Sequence, residues 1–290
     1  MKKTNLFLAS VLVFTLAGCK DAAANISDAK TTLFTVGKTK VTKGQVYSQM
    51  MASGAATTAI NDVNKQIASQ EVEVTDDMKS SAQSTLDSYK SLYGDTFNSY
   101  LEGQNMDEES YINDLLIPSL QAEKLPEMYV TENFDEVCKS YDVVKATILE
   151  FSSEDDAKAA VAELKDGSKT AAEAASAHGS SSTGVSTVYT LESSDVNAAV
   201  RTIITNASPD DAWTMVAEDN GSTWAVIKVD DNNPENFKDE AITALTGIDK
   251  VKSAATTYFC KKYKFHIYDK TLYDSIEADY PDYLVQDMAD

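Results

Sequence analysis

Histidine is nearly missing from this chain, at two residues in 290, and tryptophan is as scarce, also at two. Two imidazoles leave few ways to build a hydrolytic triad or a zinc site, and no serine sits in a nucleophile elbow, so those chemistries lack their usual side chains. No cofactor and no metal is expected. Basic side chains are also short in supply, 25 Lys and Arg against 46 Asp and Glu for a net charge of −21. Such a field repels nucleic acid and anionic headgroups, which excludes a nucleic-acid partner and reads as a device for solubility. The acidic run from Asp230 to Glu235 lacks the spacing and central glycine of an EF-hand loop, so a solvated turn is favoured over calcium ligands.

What the chain does have begins at its N-terminus. Met1-Lys2-Lys3 precedes an apolar run from Leu6 to Ala17, shorter than the roughly 20 residues of a membrane span. That is the layout of an export signal, residues 1–18, removed after use. The closing Leu16-Ala17-Gly18-Cys19 resembles the bacterial lipobox, which implies a diacylglyceryl group on Cys19 and cleavage just before it; an ordinary signal peptide with an incidental cysteine is the alternative. Each buried methylene contributes about 0.8 kcal/mol, so two or three acyl chains hold a protein on a membrane almost permanently. The expected location is the extracytoplasmic face of a bacterial cell membrane, where ATP-driven chemistry is not expected. Loss of Lys2 and Lys3 takes two from the 25 basic residues and leaves a mature net charge of −23. Of the three cysteines, Cys138 and Cys260 remain; they can pair in an oxidising compartment, but two free, buried thiols are favoured.

Residues 19–32 are small and polar and read as a lipidated, flexible tether. Leu33 to Thr42 then reads as two short strands about a turn at Gly37, with Thr42 capping a helix through Val46, Tyr47, Met50 and Met51. A low-complexity patch covers Ala52–Ala59. Thr75 caps a helix carrying Met78, Ala82, Leu86, Tyr89 and Tyr93 and stopped by Gly94. A further helix bears Phe97, Tyr100 and Leu101. Asp107 opens another, with Tyr111, Leu115 and Leu116 inward, which Pro118 should kink or split before Leu120 and Leu125. The aromatic positions Tyr89, Tyr93, Phe97 and Tyr111 suit a core better than an exposed binding surface. Near Tyr141 the character changes. Val143–Phe151 reads as a strand, Ser152 or Ser153 caps a helix ending at Gly167, and an alanine-rich helix runs to Ala177. The polar loop His178–Gly184, a strand-like stretch at Val185–Leu191, a helical Asp195–Ile204 and a strand Thr223–Val229 complete a compact α+β unit.

This order of elements resembles the PrsA and SurA type extracytoplasmic foldases over nearly the whole mature chain. The hairpin Leu33–Thr42, the stretch Asn105–Tyr111 with its run to Leu125, and Tyr129-Val130-Thr131-Glu132 carry the likeness on the N-terminal side, and Lys238 through a strand at Tyr263–Asp269 carries it on the C-terminal side. Residues 142–231 look like a parvulin, or peptidyl-prolyl isomerase, domain. The resemblance implies an α+β protein: a helical foldase domain formed by residues 33–140 and 233–290, with a parvulin-like domain inserted at 141–232. A lipid anchor favours the PrsA side of the likeness.

The same likeness argues against ordinary catalysis. Parvulins usually carry one histidine in Ala-Ser-His-Ile-Leu, matched here by Lys145–Leu149 with Thr147 in its place, and another in Gly-Tyr-His-Ile-Ile-Lys-Val, matched by the last strand with Ala225 in its place. The usual Cys or Asp is missing from the loop Gly179–Gly184, a Gly-Gly-Asp-Leu-Gly element is missing after it, and Val196 falls where an apolar pocket usually has Phe. Thr147 can still donate a hydrogen bond; Ala225 cannot. His178 lies near the site and is read as a polar surface residue in preference to a substitute catalyst, and His266, in its alternating strand, as structural. The leading expectation is a membrane-anchored chaperone that holds unfolded or newly secreted polypeptides in a cleft between the helical and parvulin-like domains, its isomerase site weak or lost. The alternatives are an active divergent isomerase and a solute-binding or scaffolding lipoprotein. Homodimerisation is left open.

Overall fold

The computed structural model describes residues 26–218 and 221–286, so the export signal and Cys19 lie outside the described residues. The first described turn, residues 27–30, falls in the stretch expected to be tether. It is tied down because the first amides of a helix have no partner within it: Lys43 N–H donates to Thr31 O (2.8 Å) and Gly44 N–H to Ala29 O (2.9 Å). A Cβ at Gly44 would stand 3.0 Å from that of Ala29, so the close approach favours glycine.

Strands β1 (Thr32–Val36) and β2 (Thr39–Thr42) form an antiparallel hairpin. Thr42 then caps α1 (Lys43–Met51) in a reciprocal capping box with Gln45, which satisfies two end groups at once. Helix α2 (Ala55–Glu71) follows. The supposed low-complexity patch is its first part, and Ala56, Ile60, Ile67 and Ala68 are its buried stripe. Thr75 caps α3 (Asp76–Tyr93) through Met78 N–H, and Gly94 ends it and starts α4 (Asp95–Gly103). Asp107 caps a short α5 (Glu108–Ser110), which widens into a π-helical turn over Tyr111–Leu116 and narrows again into α6 (Ile117–Ala122). The irregularity expected at Pro118 therefore lies before it: a proline has no N–H to give the preceding turn, and the wide turn absorbs the mismatch. Helices α7 (Leu125–Glu132) and α8 (Phe134–Ser140) lead to the sheet.

The four-stranded antiparallel sheet has the order β4-β3-β6-β5, with β3 at Val144–Phe151, β4 at Thr187–Tyr189, β5 at Thr214–Glu218 and β6 at Thr223–Asp231. Between β3 and β4 lie α9 (Glu154–Asp166), capped by Ser153 and ended by Gly167, and α10 (Ala171–Ala177). Helix α11 (Ala198–Asn206) precedes β5. A 3-10 turn at Pro234–Phe237 then leads to α12 (Lys238–Thr246), α13 (Asp249–Lys262) and α14 (Lys270–Asp279). The expected α+β class holds, with β5 an addition that the sequence pattern did not reveal.

Two compact units result, one of the described residues up to Val63 with those from Phe259 onward, the other Asn64–Tyr258. The first has a core of Ala56, Ile60, Ile267, Tyr273 and Ile276. In it, the expected strand at Tyr263–Asp269 is not one; only Asp269 makes an isolated bridge. The Gln286 side chain takes the place of a neighbouring strand, accepting from Ile267 N–H (2.6 Å) and donating to Ile267 O (3.3 Å). In the second unit, Val130, Phe134, Val137, Phe237, Ala241 and Leu245 pack α7 and α8 on α12, and Leu86, Phe97 and Leu101 join α3 to α4.

Candidate functional site

Strand side chains alternate between faces, and β3 buries both of its faces. Val144, Ala146 and Ile148 pack with Ala225, Ile227 and Val229 of β6 beneath Val200 and Ile204 of α11. Leu149 and Phe151 pack with Val226 against Ala157, Ala160 and Leu164 of α9 and Ala174 of α10. Ala225 and Val196 belong to the first of these clusters, so the structure brings those two candidate positions together.

Thr147 is elsewhere. It stands opposite Lys228, whereas Ala225 stands opposite Glu150. Thr147 and Glu150 are three positions apart along β3, an odd offset, so Thr147 lies on the α9/α10 face and Ala225 on the α11 face. The positions that the family pattern assigns to two cooperating histidines are thus not brought together. The pairing is regular from Ala146 to Phe151; the register shift lies just before it, between Lys145 and Ala146, where Asp230 is left without an opposite residue. Thr147, 5% exposed, spends its hydroxyl on Asp230 Oδ2 at 2.7 Å, and Ser186 Oγ donates to the same oxygen at 2.6 Å. Asp231 accepts from Asn233 N–H and from the Asn236 amide. These two carboxylates are therefore engaged in fixing the turn.

The concavity on the Ala225 face is a cleft of about 570 Å³ lined by Glu150, Ser181, Asp195, Val196, Asn197, Glu218 and Thr223 among others. Glu150 is its centre. Its carbonyl accepts from Ser180 Oγ (2.9 Å) and Ser181 N–H (3.1 Å), its amide donates to Ser182 Oγ (3.3 Å), and its carboxylate accepts from Ser181 Oγ (3.2 Å). The polar loop is thus laced to the end of β3. Gly184 anchors the far end of the loop, for a Cβ there would stand 2.6 Å from Ala171 C and Ala172 N at a φ of +75°. Glu218, 7% exposed, closes the other wall. Asn197 caps α11, accepting from Ala199 N–H at 2.9 Å. Glu150 and Glu218 are residues that sequence reasoning missed. The signal was available only as alternation within β5, where Val216 and Glu218 share one face and Val216 pairs with Ala225.

Rotation about a prolyl bond meets a barrier of about 18–20 kcal/mol. Lowering it requires an apolar seat for the ring with donors held close to the amide. This cleft presents three carboxylates, of Glu150, Asp195 and Glu218, and a serine-rich wall beside Val196, while Ala225 is buried in the sheet beneath α11.

The remaining candidates have structural occupations. His178 Nε2 lies 2.6 Å from Glu163 Oε2, and Lys169 Nζ lies 2.9 Å from Oε1; it is a half-buried clasp between α9 and α10, more enclosed than the surface residue expected. The Lys169 ammonium, and then His178, hold the Glu163 carboxyl below its ordinary range. His266 packs on Tyr268 with ring centroids 4.6 Å apart. Cys138 and Cys260 are free and buried. Burial pushes each thiol up to about 11, with the Asp135 and Glu235 charges adding to the effect at Cys138; both are poor nucleophiles. The aromatic set divides: Phe97 is buried, Tyr89 and Tyr111 pack against its cluster partly buried, and Tyr93 is exposed. Among the described residues no three of His, Cys, Asp and Glu gather as metal ligands, and no helix is long and apolar enough to cross a membrane.

Residues 132–241 match the family model of the PPIC-type PPIASE domain. Among solved structures, the chain is similar to foldase protein PrsA from Streptococcus pneumoniae (16% identity, 88% of this chain and 100% of that one, TM-score 0.39). It is also similar to the peptidylprolyl isomerase PrsA of Bacillus cereus (18% identity, 87% and 99%, TM-score 0.44) and to PrsA of Bacillus subtilis (16% identity, 86% and 99%, TM-score 0.36). No curated protein matches the chain.

Proposed function

We propose that this protein is an extracytoplasmic foldase, anchored to the membrane through Cys19, that binds unfolded or newly secreted polypeptides and whose PPIC-type domain has a weak or lost isomerase site. In this reading residues 141–232 are the parvulin-like domain and residues 33–140 and 233–290 the helical foldase domain. The observation that carries it is the pairing of Ala225 with Glu150 on the α11 face while Thr147 turns to the other. A PPIC-type domain that keeps its sheet and helices, lines its cleft with carboxylates and buries an alanine where the family pattern has a histidine retains a surface for chains and lacks that donor for rotation. Holding exposed apolar segments lowers the free concentration that aggregates, and an anchor raises the local concentration of the binder.

The test pairs two assays on the Lys20–Asp290 chain. Prolyl isomerisation of a short peptide should run at the uncatalysed rate beside an active parvulin as control, while stoichiometric protein should suppress aggregation of a denatured client. Clear acceleration would replace the binding reading with the divergent-isomerase one; absence of suppression would remove the foldase reading. For the anchor, Cys19→Ser should move the protein from the membrane to the soluble fraction.

A further inference from the structure

Charge is unevenly spread along this chain. From Ala29 to Asn61 the sequence holds Lys30, Lys38, Lys40 and Lys43 and no Asp or Glu, within a chain of net charge −21. The described residues up to Val63 and from Phe259 onward, which make one unit, carry eight lysines against seven carboxylates. That unit is close to neutral, and the acidic excess lies outside it. The same lysine-bearing segment exposes apolar side chains. Every residue from Thr31 to Lys40 is exposed, with Leu33 and Phe34 each at 52% and Val36 at 71%. Single apolar residues on a surface are ordinary, whereas three within four positions of one strand form a patch. Residues directly opposite in a hairpin share a face, so Phe34 lies with Val41 and Val36 with Thr39 on one face, and Thr35 with Lys40 on the other. Lys38 stands in the two-residue turn after Gly37. Lys43 Nζ donates to Ser27 O at 3.2 Å and keeps its charge. None of the four lysines forms an ion pair among the described residues.

We propose that the β1–β2 hairpin is a membrane-contact surface that lays Phe34 and Val36 into the interface of a bilayer bearing anionic headgroups. The proposal goes beyond the anchor at Cys19 and rests on it for placement alone. Seven peptide steps join Cys19 to Ile26 and span at most about 25 Å. Ser27, next in the chain, is hydrogen-bonded to Lys43 at the base of the hairpin, so an anchored chain keeps the hairpin near the surface. Interfacial elements bind through apolar side chains entering the headgroup boundary together with cations facing anionic lipid. The field of the whole chain repels such lipid, but physiological salt screens it over about 8–10 Å. At that range the four lysines outnumber Asp28, the one carboxylate before Asp62 among the described residues. A second copy of the chain is a poorer cover for the hairpin. An isologous contact sets like lysines against each other, and lysine on an edge strand opposes strand addition.

The experiment sediments the Lys20–Asp290 chain, which has no acyl group, with vesicles at millimolar lipid, of phosphatidylcholine alone or mixed with phosphatidylglycerol. Partition into the anionic vesicles should exceed that into the neutral ones at least about tenfold and fall as salt is raised. Lys38→Glu with Lys40→Glu should erase the difference. Phe34→Ser with Val36→Ser should weaken binding to the anionic vesicles at least about fivefold and leave the thermal midpoint close to that of the parent, since both side chains are exposed. Absence of partition, equal partition into the two kinds of vesicle, or partition that either pair of substitutions leaves unchanged overturns the proposal. A dimer that Phe34→Ser with Val36→Ser dissociates, in the absence of vesicle binding, would assign the hairpin to a second copy instead. Fatty-acid labelling of Cys19 in cells reads the anchor separately. Vesicle binding without labelling keeps the hairpin and removes the anchor; labelling without vesicle binding does the reverse.

Discussion

Two of the concavities in the unit Asn64–Tyr258 are of similar size and opposite chemistry. The cleft at the end of the sheet is walled by carboxylates and by serines of a loop hydrogen-bonded to β3. The groove along α7 has an apolar floor. The two differ in what lines them: Val196 is set among serines and carboxylates in the cleft, whereas Val72, Met78 and Met128 lie together in the groove.

The hardest test of that contrast is to damage the sheet. Leu149 is fully buried between β3 and the α9/α10 layer, and Leu149→Ala should cost about 3 kcal/mol, from lost transfer energy and the cavity left behind. Denaturant unfolding followed by circular dichroism would read the loss. At temperatures where the variant stays folded, suppression of client aggregation should be unchanged; a parallel loss would show that the two regions are one energetic system. A smaller effect is expected at Thr147. Thr147→Ala removes the donor to Asp230 and should lower stability by about 1–2 kcal/mol, with prolyl isomerisation unaltered because the hydroxyl faces away from the cleft. A drop in turnover at constant stability would return Thr147 to a catalytic role. The smallest effect is on pH dependence. Glu163 has its folded pKa depressed below the ordinary value of 4.5 by Lys169 and His178. The stability it contributes is therefore present above that ordinary value and is lost as the pH falls through the lower, folded one. Glu163→Gln should lower the thermal midpoint slightly at neutral pH and converge with parent in acid, so that the acid limb flattens; an unchanged acid limb would place the clasp's contribution at nil.

The contrast also marks what the sequence could and could not carry. Helix starts were legible at Thr42, Thr75, Asp107 and Ser153 because each cap is written locally, with its partner amide two or three residues on. Helix α2 was hidden because its apolar stripe is spaced through Ala, Thr and Ser, which read as composition and not as period. Strand β5 was hidden because Thr214–Glu218 is short and defined by its pairing with β6. The cleft suffered most. Matching Thr147 and Ala225 to a family pattern assigns each a place along a strand, yet the face each occupies depends on register between strands, which one chain segment does not encode. The rim of the helical groove comes from segments about fifty residues apart, and no local signal joins Glu73 to Glu127.

The wide turn at Tyr111–Leu116 acts as a phase adjuster. One residue beyond regular α-helical winding is absorbed there, so α6 keeps its phase although the chain is longer. Deleting a residue of that turn would restore regular winding and leave α6 facing as it does, whereas deleting one within α6 itself would turn its later residues by about 100° and carry Gln121 away from the Val72 carbonyl it donates to. The wide turn is thus the place in this helix where a change of length is tolerated.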